Sequence, residues 1–233
     1  MENKRTIIAI IIVTILIIAL LVVSYVNYSF EQKEIKKLTD ESNKILQQDI
    51  AIEEIDMEIK TEKNYATVEK NIKEYIQKLK NIYVKMNELE EQINPEEIFS
   101  AKNVEDKNLE EVDNIIDEYK QKSKEYLEEY RNLIKEEKIS ENINSQKFTS
   151  KKEYYIDLYN SVMLGKAMKS QYENLEIEIE NTKDQIHDKI NIIANAKKYL
   201  EDRTNYWSVK DEKIVFKNNN IMIGYYNLIN ELL

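Results

Sequence analysis

Residues 6–30 carry no charge, and this run constrains the chain more than any other feature. Its centre, TIIAIIIVTILIIALLVV (residues 6–23), continues through Ser24, Tyr25 and Val26. About 20 apolar residues, rising ~1.5 Å each, cross the ~30 Å hydrocarbon layer of a bilayer. Tyr25, Tyr28 and Phe30 come next, where an interfacial aromatic belt belongs. A cleaved secretory signal has a shorter apolar region, ~7–15 residues, closed by a small-x-small site. Here the run ends in Val-Val-Ser-Tyr-Val-Asn, with large residues at those places. The sequence therefore predicts a short tail (1–5) and an uncleaved transmembrane anchor (6–28).

Lys4 and Arg5 flank this anchor on one side, and Lys33, Lys36 and Lys37 on the other. Lysine and arginine near the ends set orientation, and neighbouring acids count for little. A short tail with two adjacent cations has the form of a signal-anchor. That places the N-terminus inside and the rest of the chain on the extracytoplasmic side of the cell membrane.

Beyond the anchor the chain has little material for a sheet. It holds 2 Gly and 1 Pro in all, whereas tight turns lean on Gly, Pro, Asn and Asp. The same scarcity leaves nothing for a phosphate-cradling loop. A formal net charge of −10 with no basic run argues against nucleic acid as a partner, because affinity for phosphate backbones comes mainly from Lys and Arg. Cysteine is absent, which removes disulfides, thiolate metal sites and thiol nucleophiles.

Apolar residues instead recur at spacings of 3 and 4. Leu38, Ile45, Ile52, Ile55 and Ile59 form a weak stripe interrupted by Glu41 and Gln48, suited to a stalk that buries little. The phase breaks at residues 60–64, read as a helix–helix turn with Thr61 or Asn64 as cap. A cleaner seam comes after it: Tyr65, Val68, Ile72, Tyr75, Leu79, Ile82, Met86, Leu89 and Ile93, widened by Ile76 and Tyr83. Asn94-Pro95-Glu96-Glu97 marks a restart, with a capping Asn, a proline in the first turn and two acids on the helix dipole. The next seam runs Leu109, Val112, Ile116, Tyr119, Ser123, Tyr126, Tyr130, Leu133. Residues 138–150, rich in Asn, Ser and Thr, read as a loop, and Ser150 with Glu153 has capping-box spacing. One helix is then expected from 151 to 202 on Tyr154, Leu158, Ser161, Gly165, Met168, Tyr172, Leu175, Ile179, Thr182, Ile186, Ile190 and Ile193. Trp207 and Val209 alternate with polar neighbours, and Ile214 and Phe216 stand two apart on the other side of residues 210–213, the pattern of a β-hairpin. Trp207 and Phe216 should share one hairpin face. A last amphipathic helix carries Ile221, Tyr225, Leu228 and Leu232.

No catalytic constellation emerges. His187, the single histidine, has Asp184 one turn away, but one His without Cys cannot fill a zinc shell. Glu53-Glu54, Glu110-Glu111 and Glu128-Glu129 read as solvated helix faces among 44 acidic residues, not as the opposed pair a glycosidase needs. Gly165, a turn from Ser161, reads as close helix packing, with a kink as the other reading.

The expected architecture is all-α. It comprises the anchor, an elongated antiparallel helical bundle or coiled-coil rod (29–202), and a β-hairpin with a C-terminal helix (203–233). The expected function is that of a non-enzymatic adaptor without cofactor or metal, anchored in the membrane by one helix. It would bind a protein or cell-envelope partner, with self-association into a homo-oligomer left open. Trp207 and Phe216 are the candidate partner-binding residues, if the hairpin is a recognition tip and not a cap on the bundle. The rival reading is a ligand sensor with a groove near Ser161, Gly165 and Tyr172; a cell-envelope hydrolase is a more distant one.

Overall fold

The computed structural model describes residues 2–105, 109–211 and 213–230, with side chains from Ile15 onward. The described residues form nine α-helices and one hairpin: α1 (Glu2–Gln47), α2 (Lys63–Glu91), α3 (Pro95–Ile98), α4 (Ala101–Val104), α5 (Glu110–Leu133), α6 (Glu136–Asn144), α7 (Lys152–Met163), α8 (Lys166–Glu201), β1 (Trp207–Lys210), β2 (Lys213–Phe216) and α9 (Asn219–Ile229). Glu212 in the turn and Leu232 of the expected last helix fall outside the described residues.

Among the described residues one helix is long and apolar enough to cross a membrane. In α1 the large apolar side chains from Ile15 to Tyr28 are all more than half exposed, so the described residues leave them largely uncovered. The same helix then turns amphipathic. Phe30 is half-buried, Glu34 is 1% exposed, and Leu38 and Ile45 join the core. The helix ends at Gln47 because Asp49 competes for the backbone: its Oδ1 accepts from the Ala51 amide at 3.0 Å and its carbonyl accepts from Glu53. Residues 48–62 do not continue the stalk helix. They return non-helically along the body, burying Ile55 while Ile52 faces solvent. Helix α2 therefore starts again beside the emerging part of α1 and runs parallel to it, since Glu34 meets the Glu62 amide and Glu41 meets Lys73 farther along both. This differs from the expected antiparallel order.

All nine residues of the α2 seam are buried. They pack against α5 and α8, with α5 antiparallel to both. Tyr75 of α2 donates to the carbonyl of Leu133 at the end of α5, and Tyr119 of α5 to that of Gln92 past the end of α2. Tyr130 of α5 reaches Tyr172 of α8, whereas Asp113 at its other end pairs with Lys197. The Asn94-Pro95 restart is real: Asn94 Oδ1 accepts from the Glu96 amide at 3.0 Å and Pro95 opens α3.

Three local expectations need correction. Residues 138–150 are not all loop, because Ile139 and Ile143, one turn apart, are buried and pin α6 to the body. The Ser150 capping box does not form; Lys151, in left-handed geometry at φ 48°, precedes α7 without a side-chain cap. The single helix over 151–202 is broken at Leu164–Gly165 into α7 and α8. The buried face of α7 is consequently Tyr155, Ile156, Tyr159 and Met163, not Tyr154 and Ser161, which are exposed.

The hairpin matches its pattern. Trp207 pairs with Phe216 and Val209 with Ile214, so the two large aromatics share a face. Trp207 is fully buried and its Nε1 donates to the Leu200 carbonyl at 2.8 Å, while Phe216 packs on Tyr225 of α9 with ring centroids 5.3 Å apart. Gly224 lets α9 approach α8, since a Cβ there would meet the Tyr199 hydroxyl at 2.3 Å.

Candidate functional site

The most unusual chemistry in the structure lies where α1 enters the helical body. Lys73 of α2 is 1% exposed, and its ammonium is held by Glu69 at 2.7 Å and by Glu41 of α1 at 2.9 Å. A third bond runs to the carbonyl of Glu58 at 2.7 Å. The Glu69 carboxylate, itself 1% exposed, also accepts from the amides of Lys60 and Thr61 and from the Thr61 hydroxyl. Two turns nearer the apolar segment, Glu34 accepts from the Glu62 amide at 2.6 Å and pairs with Lys37 at 2.7 Å. Lys44 closes the group by pairing with Glu41. The bonds join α1, the return segment and α2 into one unit.

The electrostatics arise from these contacts. Burial pushes the Lys73 pKa down, but hydrogen bonds and charges from Glu69 and Glu41 outweigh it and hold it above the usual lysine value. Burial likewise pushes Glu69 and Glu41 up; bonds from Lys73 with Thr61, and from Lys44 with Lys73, bring both below the ordinary range. All three groups are thus fixed in their charged forms. A general acid or base needs a pKa drawn toward neutrality, so the arrangement fits a clamp and not proton transfer. Both carboxylates spend their lone pairs on lysines and amides, and no group of three or more His, Cys, Asp or Glu able to hold a metal occurs among the described residues.

The residues singled out in the sequence lie elsewhere. Tyr172 is 4% exposed, and its hydroxyl donates to the Met163 carbonyl at 3.1 Å, freed by the break after α7. Ser161 is exposed and bonds back to the Leu158 carbonyl at 2.7 Å. Gly165 precedes the first turn of α8. These three do not converge on a common opening: the Tyr172 hydroxyl points at backbone. Trp207 is enclosed at the far end, so a partner arriving there meets other side chains, and Phe216 is half-buried beside it. His187 and Asp184 are both exposed on α8.

No family model, curated protein or solved structure matches this chain. Geometry alone bears on its function.

The clamp had one trace in the sequence, Glu41 in the middle of an apolar stripe. Its partner Lys73 lies 32 residues away, and no periodicity links them. The buried tyrosines were legible as core, but not their role. Tyr75 and Tyr172 donate to carbonyls of the last residues of α5 and α7, and the Trp207 indole does the same near the end of α8. Helix ends leave such carbonyls without intrahelical donors, and in a chain with two glycines aromatic donors take the place of glycine caps. Burial of its ring pushes the Tyr75 hydroxyl up to about 12.

The break at Gly165 yields a direct expectation. A Cβ at this position would sit 2.8 Å from the Ser161 carbonyl oxygen and 3.2 Å from that of Val162. Gly165→Ala should therefore lower stability by about 1–3 kcal/mol, as overpacking against backbone does. Denaturant titration followed by circular dichroism measures this; an unchanged or raised midpoint would show that the α7–α8 junction has room to give.

Proposed function

We propose that the protein is a single-pass, membrane-anchored adaptor. On this reading α1 spans the membrane, the remaining helices form a bundle standing on it, and the end remote from the membrane binds a protein or cell-envelope partner. The body lies outside the cytoplasm, and the protein carries no catalytic activity.

One observation carries this reading. Among the described residues the exposed large apolar side chains gather in two groups at opposite ends of the molecule, while Ile52, Met57, Val84, Tyr154 and Ile177 are scattered between them. Those of α1 form one set; Tyr206 (50% exposed), Val215 (43%), Ile223 (52%) and Tyr226 (44%), around the hairpin and α9, form the other. Apolar residues gathered at an exposed end are the usual mark of an interaction site. Between the two ends most buried polar side chains are paired, Ser42 and Tyr65 being the exceptions among the described residues, and the Tyr172 hydroxyl is spent on backbone, which favours a spacer over a ligand sensor. The clamp supports the same view, because an anchor that must hold a bundle at a set position needs a fixed joint.

The test places a photo-crosslinking residue at position 226 of the full chain or, as a control, at exposed position 124 in α5. The protein should resist alkaline extraction from membranes. A discrete adduct should form from 226, not from 124, and should vanish with Ile223→Asp. Release by alkali would overturn the anchor, and equal labelling from both positions would overturn the distal site.

A further inference from the structure

We infer that the groove at the base of the body, between α1 and the first turns of α2 and α7, seats the phosphate headgroup of an anionic lipid. This rests on the reading of α1 as a membrane anchor and concerns a different surface from the distal end.

The groove, of about 510 Å³, is walled by Ser24, Asn27 and Tyr28 of α1 and by Lys63, Tyr65 and Lys151 of the body. In an anchored chain Asn27 and Tyr28, just past the apolar run, lie at headgroup depth. The chain is net −10, yet the groove lining holds two lysines against one acid, with Lys147 and Lys152 and the acids Glu62 and Glu153 beside it. Glu31 is its one acidic lining residue, engaged with Lys151 at 2.6 Å. The Lys63 ammonium lies 4.2 Å from the centroid of the Phe30 ring.

Two helix N-termini open here, those of the 29-residue α2 and the 12-residue α7, and neither has a side-chain cap. Asn64 fastens them together, donating to the Ser150 carbonyl at 3.1 Å and accepting from the Thr149 hydroxyl at 3.1 Å. Each helix begins with lysine. Cations at the positive end of a helix dipole repel it, and an anion lying across both ends reverses the sign of that interaction. The first turn of α2 has no acidic residue, and that of α7 has Glu153. Independently, Tyr65 lines the groove, is 1% exposed, and its hydroxyl makes no well-formed hydrogen bond, having only the phenols of Tyr154 and Tyr155 beside it. A phosphate oxygen admitted to the groove supplies the acceptor.

The experiment uses the full chain in nanodiscs, with amide hydrogen exchange read at residues 63–65 and 151–153. Discs of phosphatidylcholine are compared with discs that also contain phosphatidylglycerol. Exchange at these residues should slow on the order of 10-fold with the anionic lipid, as expected for a site filled well above its dissociation constant. Lys63→Gln with Lys151→Gln should abolish the difference while leaving protection in α5 intact, and Tyr65→Phe should reduce it. Equal exchange in the two discs, or a difference that survives the double substitution, would overturn the inference. Inorganic phosphate giving the same protection in phosphatidylcholine discs would overturn the commitment to lipid. If the double substitution also loosens α5, the Tyr65→Phe comparison decides, an unchanged lipid effect counting against the site. A chain that enters neither disc shows failure of the anchor itself, which is a separate result.

Discussion

Lys73→Met should cost about 3–5 kcal/mol of stability, because removing one partner from a buried ion group leaves the others uncompensated. Without the ammonium, the Glu41 and Glu69 carboxylates face each other in the interior and the Glu58 carbonyl loses its donor. Substituting all three members, as Glu41→Leu, Lys73→Met and Glu69→Gln, should recover most of the loss. The glutamine keeps an acceptor for Thr61 and the charges are gone. Acidity gives a second signature. In the native protein Glu41 and Glu69 titrate below their ordinary range, so their stabilisation is complete above about pH 4.3 and fades as pH falls through the depressed values. Lys73 titrates above its ordinary range, so its contribution holds below about pH 10.4 and fades as pH rises through the raised value. The native protein should accordingly be flat in stability across neutral pH. In Lys73→Met the two carboxylates repel and their folded pKa values rise, so this variant should gain stability as pH drops from 7 toward 5. Urea titrations at several pH values measure both effects. A loss under about 1 kcal/mol, or a variant with no such gain, would mean that water reaches the cluster.

Trp207→Ala should be comparably damaging at the other end of the molecule. The indole is the largest fully enclosed side chain among the described residues, and its removal leaves a cavity and takes one of the donors from the Leu200 carbonyl, which keeps the Arg203 amide. Large-to-small changes of this type cost about 3–5 kcal/mol, or roughly 6–20 °C in melting temperature for a chain of this size. Trp207→Phe retains most of the volume and should lose only about 1 kcal/mol for the hydrogen bond. As the only tryptophan, Trp207 should also emit at short wavelength in the folded protein. Emission resembling free tryptophan, with an unchanged melting curve in Trp207→Ala, would show the hairpin to be an open tip.

Much of the fold could be read from residue spacing where the spacing was local. The α2 seam, the Asn94-Pro95 restart and the shared face of Trp207 and Phe216 each come from a repeat within one element, and each is present. The failures occurred where one side chain overrules a pattern. Asp49 ends a helix whose stripe continues on paper. Gly165, read as close packing within one helix, instead stands where α7 and α8 part. Ile139 and Ile143 hold a helix together amid residues that favour loops. The buried charges were hardest to foresee, because Glu41 and Lys73 meet only after the return segment has brought α2 back beside α1. The basic groove was hidden for the same reason. Lys63 and Lys151 are far apart in sequence, and it is the Asn64 staple that sets them on one surface.

The parallel course of α1 and α2 also determines how the joint responds to force. With α1 anchored as proposed, a pull between its apolar segment and the distal end draws α1 along its own axis while α2 is held from the opposite direction. The bonds from the Glu62 amide to Glu34 and from Lys73 to Glu41 lie across that sliding plane, and Gln171 of α8, donating to the Leu46 carbonyl, ties the far end of α1 to the body in the same sense. They are therefore loaded in shear, together, and not peeled one after another as they would be across an antiparallel turn. If α1 is anchored as proposed, the joint resists tension as a unit up to a single yield point, so a pulled domain would either stay upright or be released in one step.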